Sequence, residues 1–201
     1  MTDDNQTRHQ QKMAKLKEKV DAGIAAATDE RGLVLLLTGD GKGKTTSAFG
    51  MVMRSLGYGH HVAVVQFIKG VQLSGEERFL REQRPDVFFY QMGTGFTWET
   101  QNRAADIAAA ERTWQEAERV LRDPSYRLVV LDELTYMLSF GYLEEARVVA
   151  AIRQRPPEQS VVITGRGGGS ALRELADTVA DIQDSKHAYR AGIKARPGVD
   201  Y

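Results

Sequence analysis

Apolar residues fall along this chain in short blocks. From residue 33 onward, near-continuous apolar stretches alternate with stretches of helical periodicity: 33–37, then a helical pattern over about 44–56, then 62–68. Further apolar runs follow at 87–90, 128–131 and 161–164, separated by an alanine-rich helical stretch over about 103–121 and another near 142–152. Such alternation predicts an α/β fold with a mostly parallel sheet and helices on both faces. Runs that are apolar at successive positions, rather than at every second one, suit strands buried on both sides. No internal repeat and no low-complexity linker interrupts the pattern.

Residues 1–31 are different, being polar and charged. Met13, Leu16, Val20 and Ile24 are spaced to share one helix face, which predicts a short amphipathic helix. In the isolated monomer a frayed tail is expected instead, because so few apolar groups offset the entropy of ordering. The expected organisation is a polar leader over 1–31, able to serve as a lid helix, and one domain over 32–201.

Composition narrows the chemistry. The 201 residues, 42% of them hydrophobic, suffice for one packed domain and not for two. Lys+Arg and Asp+Glu are equal at 27 each, so no net field draws the chain to nucleic acid or an anionic membrane, and an anion site must be local. No apolar run approaches the roughly 20 residues that span a bilayer, and the first residues are not signal-like, so a cytoplasmic protein is expected. The absence of cysteine excludes disulfides, thiolate metal sites and a cysteine nucleophile.

Between the first apolar run and the first helix stands Gly39-Asp40-Gly41-Lys42-Gly43-Lys44-Thr45-Thr46. Glycine-permitted turns and helix N-terminal amides at such a junction can wrap a phosphate chain, Lys44 supplies a point charge, and Thr45 offers a hydroxyl to Mg²⁺. The pattern is that of a P-loop one residue short, which makes the fold P-loop NTPase-like. Asp132 and Glu133 follow the buried run 128–131, at the sheet edge where ligands gather. Asp132 suits a metal held through water, and Glu133 suits activation of water or a hydrogen bond to a ribose hydroxyl. Alternatively the pair is a solvated strand end capping the next helix. An ATPase coupled to a protein partner, a kinase and a nucleotide switch all remain open at this point.

Phe96 and Trp98 lie in the glycine-rich segment Gly93-Thr94-Gly95-Phe96-Thr97-Trp98-Glu99-Thr100 before the third helix. They are either fillers of a core gap or a platform for a flat ligand. This segment, the short loop, Leu131-Asp132-Glu133-Leu134, Thr164-Gly165-Arg166-Gly167 and Gly198-Val199-Asp200-Tyr201 together resemble the P-loop type of ATP:corrinoid adenosyltransferase, over about 32–201. The resemblance implies transfer of the 5′-deoxyadenosyl group of ATP to Co(I) of a corrinoid, cobyrinic acid a,c-diamide or cobalamin, with release of triphosphate. It also implies Mg²⁺ or Mn²⁺, a reduced flavin or flavoprotein as electron donor, a homodimer, and a triphosphate bound in reverse, which suits a shortened loop. Carried over by position, Gly39 to Thr46 hold ATP, Lys44, Thr45 and Glu133 act in transfer with Glu133 on the ribose, and Thr45 and Asp132 serve the metal. Arg54 falls near the adenosine, and Phe96 and Trp98 face the corrin. Two departures stand out: Asp40 replaces the common Asn, and Gly167-Gly168-Gly169 replaces a Pro-containing loop. The histidines His9, His60, His61 and His187 lack the Asp-x-His-x-x-Gly setting of cobalt ligation, so the corrinoid is expected as a substrate.

Overall fold

The computed structural model describes residues 2–68, 73–93 and 102–201. The chain divides into two compact units, Met1–Glu30 and Arg31–Tyr201. The first is one helix, α1 (Thr2–Ala26), and not a frayed tail. Its composition explains the length: Lys, Ala and Gln are among its commonest residues, proline is absent, and Gly23 comes only in the last turn.

The second unit carries a six-stranded, wholly parallel sheet. In chain order its elements are β1 (Val34–Thr38), α2 (Lys44–Gly57), β2 (His61–Gln66), α3 (Gly75–Gln83), β3 (Phe88–Gln91), α4 (Arg103–Arg122), β4 (Tyr126–Asp132), α5 (Leu134–Ser139), α6 (Glu145–Arg153), β5 (Ser160–Thr164), α7 (Gly169–Leu175) and β6 (Thr178–Asp181). A short 3₁₀ turn, Ala188–Ala191, follows. The strand order is β3-β2-β4-β5-β1-β6. No helix among the described residues is long and apolar enough to cross a membrane.

Alternate residues of each central strand feed two separate cores, which is why the strands read as continuous apolar runs. Leu36, Ala63, Val65, Val129, Leu131, Val161 and Ile163 join the core under α4, α5, α6 and α7, around the fully buried Trp114. Leu37, Val62, Val64, Leu128, Val130 and Val162 join the opposite core under α2 and α3. Arg147 of α6 ties the first layer together by reaching Glu111 at 2.6 Å and Glu118 at 3.0 Å on α4.

The five expected apolar runs fall on β1 to β5, with ends displaced by one or two residues. The short elements α3, α5, α7 and β6 were not foreseen. α3 buries only Glu77 and Leu80 and is announced mainly by its cap, Ser74, whose hydroxyl accepts from Glu77 N at 3.3 Å. β6 is an edge strand with three of its four residues exposed, so no apolar run marks it. Its approach is fixed instead by Asp177, whose Oδ2 accepts from Val34 N at 2.8 Å and from Arg31 Nη1 at 3.0 Å, while Oδ1 meets Arg31 Nη2 at 2.5 Å.

The Arg31 guanidinium, with the Val34 amide, outweighs partial burial and holds the Asp177 carboxyl at about 2, below the ordinary 3.8. A depressed folded-state value stabilises the fold above the unfolded value and loses that contribution as pH falls from about 4 towards 2. Solvent screening at so open a pair limits it to about 1 kcal/mol. Asp177→Asn is therefore expected to lower stability by that amount at pH 7, in urea unfolding. The difference from wild type should shrink at pH 3.

Candidate functional site

A cleft of about 470 Å³ opens at the carboxyl edge of the sheet, lined by Asp40 to Thr46, Glu133 and Tyr136 among others. The strand order explains the location: β1 and β4 are separated only by β5, so the loop after β1 and the carboxylates ending β4 face each other. The N-cap of α2 is Gly43, which offers no side-chain cap and leaves the N-terminal amides of the helix to the cleft.

Lys44 is buried at 8% exposure and donates to the carbonyls of Gly39 and Gly41, each at 2.7 Å. Two of its three ammonium hydrogens shape the loop. Burial lowers the Lys44 pKa, opposed chiefly by the charge of Glu133. The loop's glycines serve the fold as well as any ligand. A Cβ on Gly39 would come 2.4 Å from Ile182 O, and one on Gly41 would come 2.5 Å from Gln183 O, because the segment after β6 packs directly behind the loop. Gly41 N donates to Ile182 O at 2.7 Å, which commits one loop amide to this contact.

Asp132 lies beneath the loop at 1% exposure. Its Oδ1 accepts from Thr45 Oγ1 at 3.0 Å and from Thr164 Oγ1 at 2.6 Å, and its Oδ2 accepts from Gln66 Nε2 at 2.9 Å. Glu133, at the N-cap position of α5, lies in the left-handed region with φ 59°, the one positive φ outside glycine among the described residues. It does not act as a side-chain cap. Its amide donates to Thr164 Oγ1 at 2.9 Å, and its side chain lines the cleft.

The two departures in sequence meet in space. Asp40 Oδ1 lies 3.8 Å from Arg166 Nε, so the carboxylate beside the loop has a cation of its own. Gly167, Gly168 and Gly169 have φ of 80°, 112° and 58°, a succession that side-chain-bearing residues rarely adopt. Thr135 Oγ1 donates to Arg166 O at 2.8 Å and Thr38 Oγ1 to Gly167 O at 2.5 Å, so this turn is pinned at the cleft mouth.

Of the residues singled out in the sequence, Asp40 to Thr46 and Glu133 line one cleft, and Asp132 stands below it holding Thr45. Arg54 is exposed in the last turn of α2, outside the cleft lining and roughly 15 Å along the helix from Lys44. Phe96 and Trp98 lie outside the described residues. Tyr136, Arg166, Asp184, His187, Arg190 and Asp200 also line the cleft, and sequence reasoning gave them no role. Burial, followed by the charge of Glu133, raises the Tyr136 pKa. Arg166 and Asp200 do lie in segments that carry the family resemblance, and the basic and aromatic run from Lys186 to Arg196, polar yet rich in groups that meet anions, was a further signal.

Known proteins give this geometry a family. The profile of the ATP:corrinoid adenosyltransferases BtuR/CobO/CobP matches residues 30–201, and that of the cob(I)alamin adenosyltransferase N-terminal segment matches residues 1–24. The corrinoid adenosyltransferase of Escherichia coli (strain K12) is 52% identical over 194 residues, 96% of this chain and 98% of that protein. The corrinoid adenosyltransferase CobA of Salmonella typhimurium is 50% identical with the same coverage, and that of Pseudomonas aeruginosa is 53% identical over 96% of both chains. With a matched profile spanning nearly the whole α/β unit and relatives this similar along their full length, the chain belongs to the ATP:corrinoid adenosyltransferase family.

Proposed function

We propose that this chain performs the family's reaction at the cleft described above, with Co(I) of a corrinoid attacking C5′ of ATP. A Co–C bond forms, the C5′–O bond breaks, and triphosphate leaves with the bonding pair. The observation that carries this reading is the convergence of Lys44, Thr45 and Glu133 on one cleft behind a shortened phosphate loop.

Co(I) is so strong a nucleophile that no general base is needed, and the demand on the protein is to position C5′ and stabilise the leaving group. The third hydrogen of Lys44, the free end of α2 and the loop amides beyond Gly41 serve the triphosphate. Glu133 serves the ribose. A divalent cation, Mg²⁺ or Mn²⁺, fits the donor set: Thr45 donates to Asp132 and so keeps its oxygen lone pairs for a metal. No cluster of three or more His, Asp or Glu that would cage a metal occurs among the described residues, so phosphate and water complete the shell. When bound, the cation neutralises charge on the leaving triphosphate. Phe96 and Trp98 are assigned to the lower face of the corrin, Arg54 to the adenosine end, and the leader to a lid over the corrinoid, within a homodimer supplied with electrons by a reduced flavin or flavoprotein.

Reduced corrinoid with MgATP, followed by the visible spectrum and by product identification, tests the reaction itself. Adenosylcorrinoid and triphosphate are expected, whereas ADP and phosphate without adenosylation would point to an ATPase. Lys44→Ala is expected to slow transfer by at least about 100-fold. It also leaves two loop carbonyls without their donor, costing about 1 kcal/mol while the fold survives. Near-wild-type turnover at saturating MgATP would remove the loop from the mechanism.

Trp98→Ala separates reduction from transfer. An axial donor raises the cobalt orbital that must accept an electron, so a side chain that excludes the donor without replacing it eases reduction of Co(II). The variant should lose the four-coordinate Co(II) spectrum and react slowly with a flavin reductant, yet recover with pre-reduced Co(I). Retention of that spectrum would assign Trp98 to packing.

Deleting residues 1–24 should weaken corrinoid use more than ATP binding. Corrinoid kinetics equal to those of the full chain would exclude the lid.

A further inference from the structure

Cations around the cleft are already matched with acceptors. Lys42 Nζ lies 2.9 Å from Asp200 Oδ1, Arg190 Nη2 lies 2.6 Å from Asp184 Oδ2, and Lys44 is held by two loop carbonyls. Asp184 and Asp200 both belong to the segment after β6 whose backbone seats on Gly39 and Gly41. Asp200 is fixed in place by its own turn. Its Oδ2 accepts from Arg196 N at 2.9 Å, its N donates to Arg196 O at 2.8 Å, and Gly198 N closes on Tyr201 O at 2.7 Å. Oδ1 is thereby presented to the loop lysine, at the rim of the cleft that both residues line.

We infer that Asp200 is a built-in competitor of triphosphate for Lys42, releasing the lysine as the polyanion arrives and reclaiming it as the product leaves. This rests on the proposed function, and the chemistry of that reaction supplies the need. Breaking the C5′–O bond leaves triphosphate with one more ionisable oxygen than it carried within ATP. A cleft built to stabilise that leaving group must still let it go. A tethered carboxylate competes at a fixed effective concentration, whatever the ligand level. It also repels the phosphate chain that shares its cation.

A purely structural role makes the opposite prediction. If Asp200 only pins the segment behind the loop, removing its charge loosens the phosphate site and weakens triphosphate binding. If it competes, the same change strengthens binding.

The test is calorimetric titration with inorganic tripolyphosphate and Mg²⁺, on the full chain, for wild type, Asp200→Asn, Lys42→Ala and the double variant. Asn keeps an acceptor for Arg196 N and the side-chain volume while removing the charge. The dissociation constant should fall roughly fivefold in Asp200→Asn, and the gain should vanish when Lys42 is also replaced. Unchanged or weaker binding in Asp200→Asn, or an equal gain without Lys42, overturns the inference. Adenosylation of reduced corrinoid by the same wild-type preparation keeps the two proposals apart. Failure to form adenosylcorrinoid counts against the proposed function, whereas transfer without tightening in Asp200→Asn counts against the competitor alone.

Discussion

The site depends on one buried carboxylate. Asp132 has 1% exposure, and a carboxylate taken so far from water is tolerated only if protein donors replace the lost hydration. Its three donors come from three different parts of the chain: Thr45 at the start of α2, Thr164 at the end of β5 and Gln66 at the end of β2. Satisfying Asp132 therefore fixes the start of α2 against the sheet edge and sets the direction of the Thr45 hydroxyl. Gln66 is itself fully buried, and its Oε1 has no hydrogen-bond partner among the described residues. A buried amide with an unused acceptor costs stability, so its contribution lies in what its other end does for Asp132.

A second constraint acts from behind the loop. Gly39 and Gly41 would be read in any phosphate loop as making room for the ligand, yet here a side chain on either would strike the backbone of Ile182 and Gln183. The loop is thus clamped between α2 on one side and the segment after β6 on the other. That segment also brings Asp184, His187, Arg190 and Asp200 to the cleft. Packing and electrostatics are coupled through the same segment, since the stretch that follows β6 both backs the loop and delivers charges that line the cleft.

Legibility in the sequence followed the strength of local signals. β1, β2, β4 and β5 were visible because both of their faces are buried, and a continuous apolar run such as Leu128 to Leu131, too short for a helix, suits a strand covered on both sides. Gly39 to Thr46 was visible because a strand, glycines, Lys44 and Thr45 recur in fixed order. β6 was not, because Thr178 to Asp181 is largely exposed and is held by backbone pairing to β1 and by the Asp177 bond to Val34, neither of which leaves a compositional trace. Arg166 and Asp200 lie in segments that carry the family resemblance, yet their place at the cleft was hidden for a related reason. Each owes its place to a turn, the left-handed glycines 167–169 in one case and the turn over 196–200 in the other, that only the fold brings to the loop.

Asp132 and Glu133 show how adjacent, chemically similar residues acquire separate tasks. Thr164 Oγ1 donates to Asp132 and accepts from the amide of Glu133, so one hydroxyl sets both positions. Between them the backbone turns into the left-handed region, a conformation that costs on the order of 1 kcal/mol for a residue with a side chain. The consequence is directional. A strand continued regularly would alternate the two carboxylates across the sheet, with one in each core. The turn at Glu133 instead leaves Asp132 beneath the loop and sends Glu133 into the cleft, where the proposed ribose contact lies. Gly165 makes room for that turn, since a Cβ there would stand 2.1 Å from Thr135 Oγ1 and 3.3 Å from Glu133 Oε2. The strain at Glu133 is thus confined by Thr164 at the end of β5 and by Gly165 after it, and it separates a carboxylate that organises the loop from one that lines the cleft.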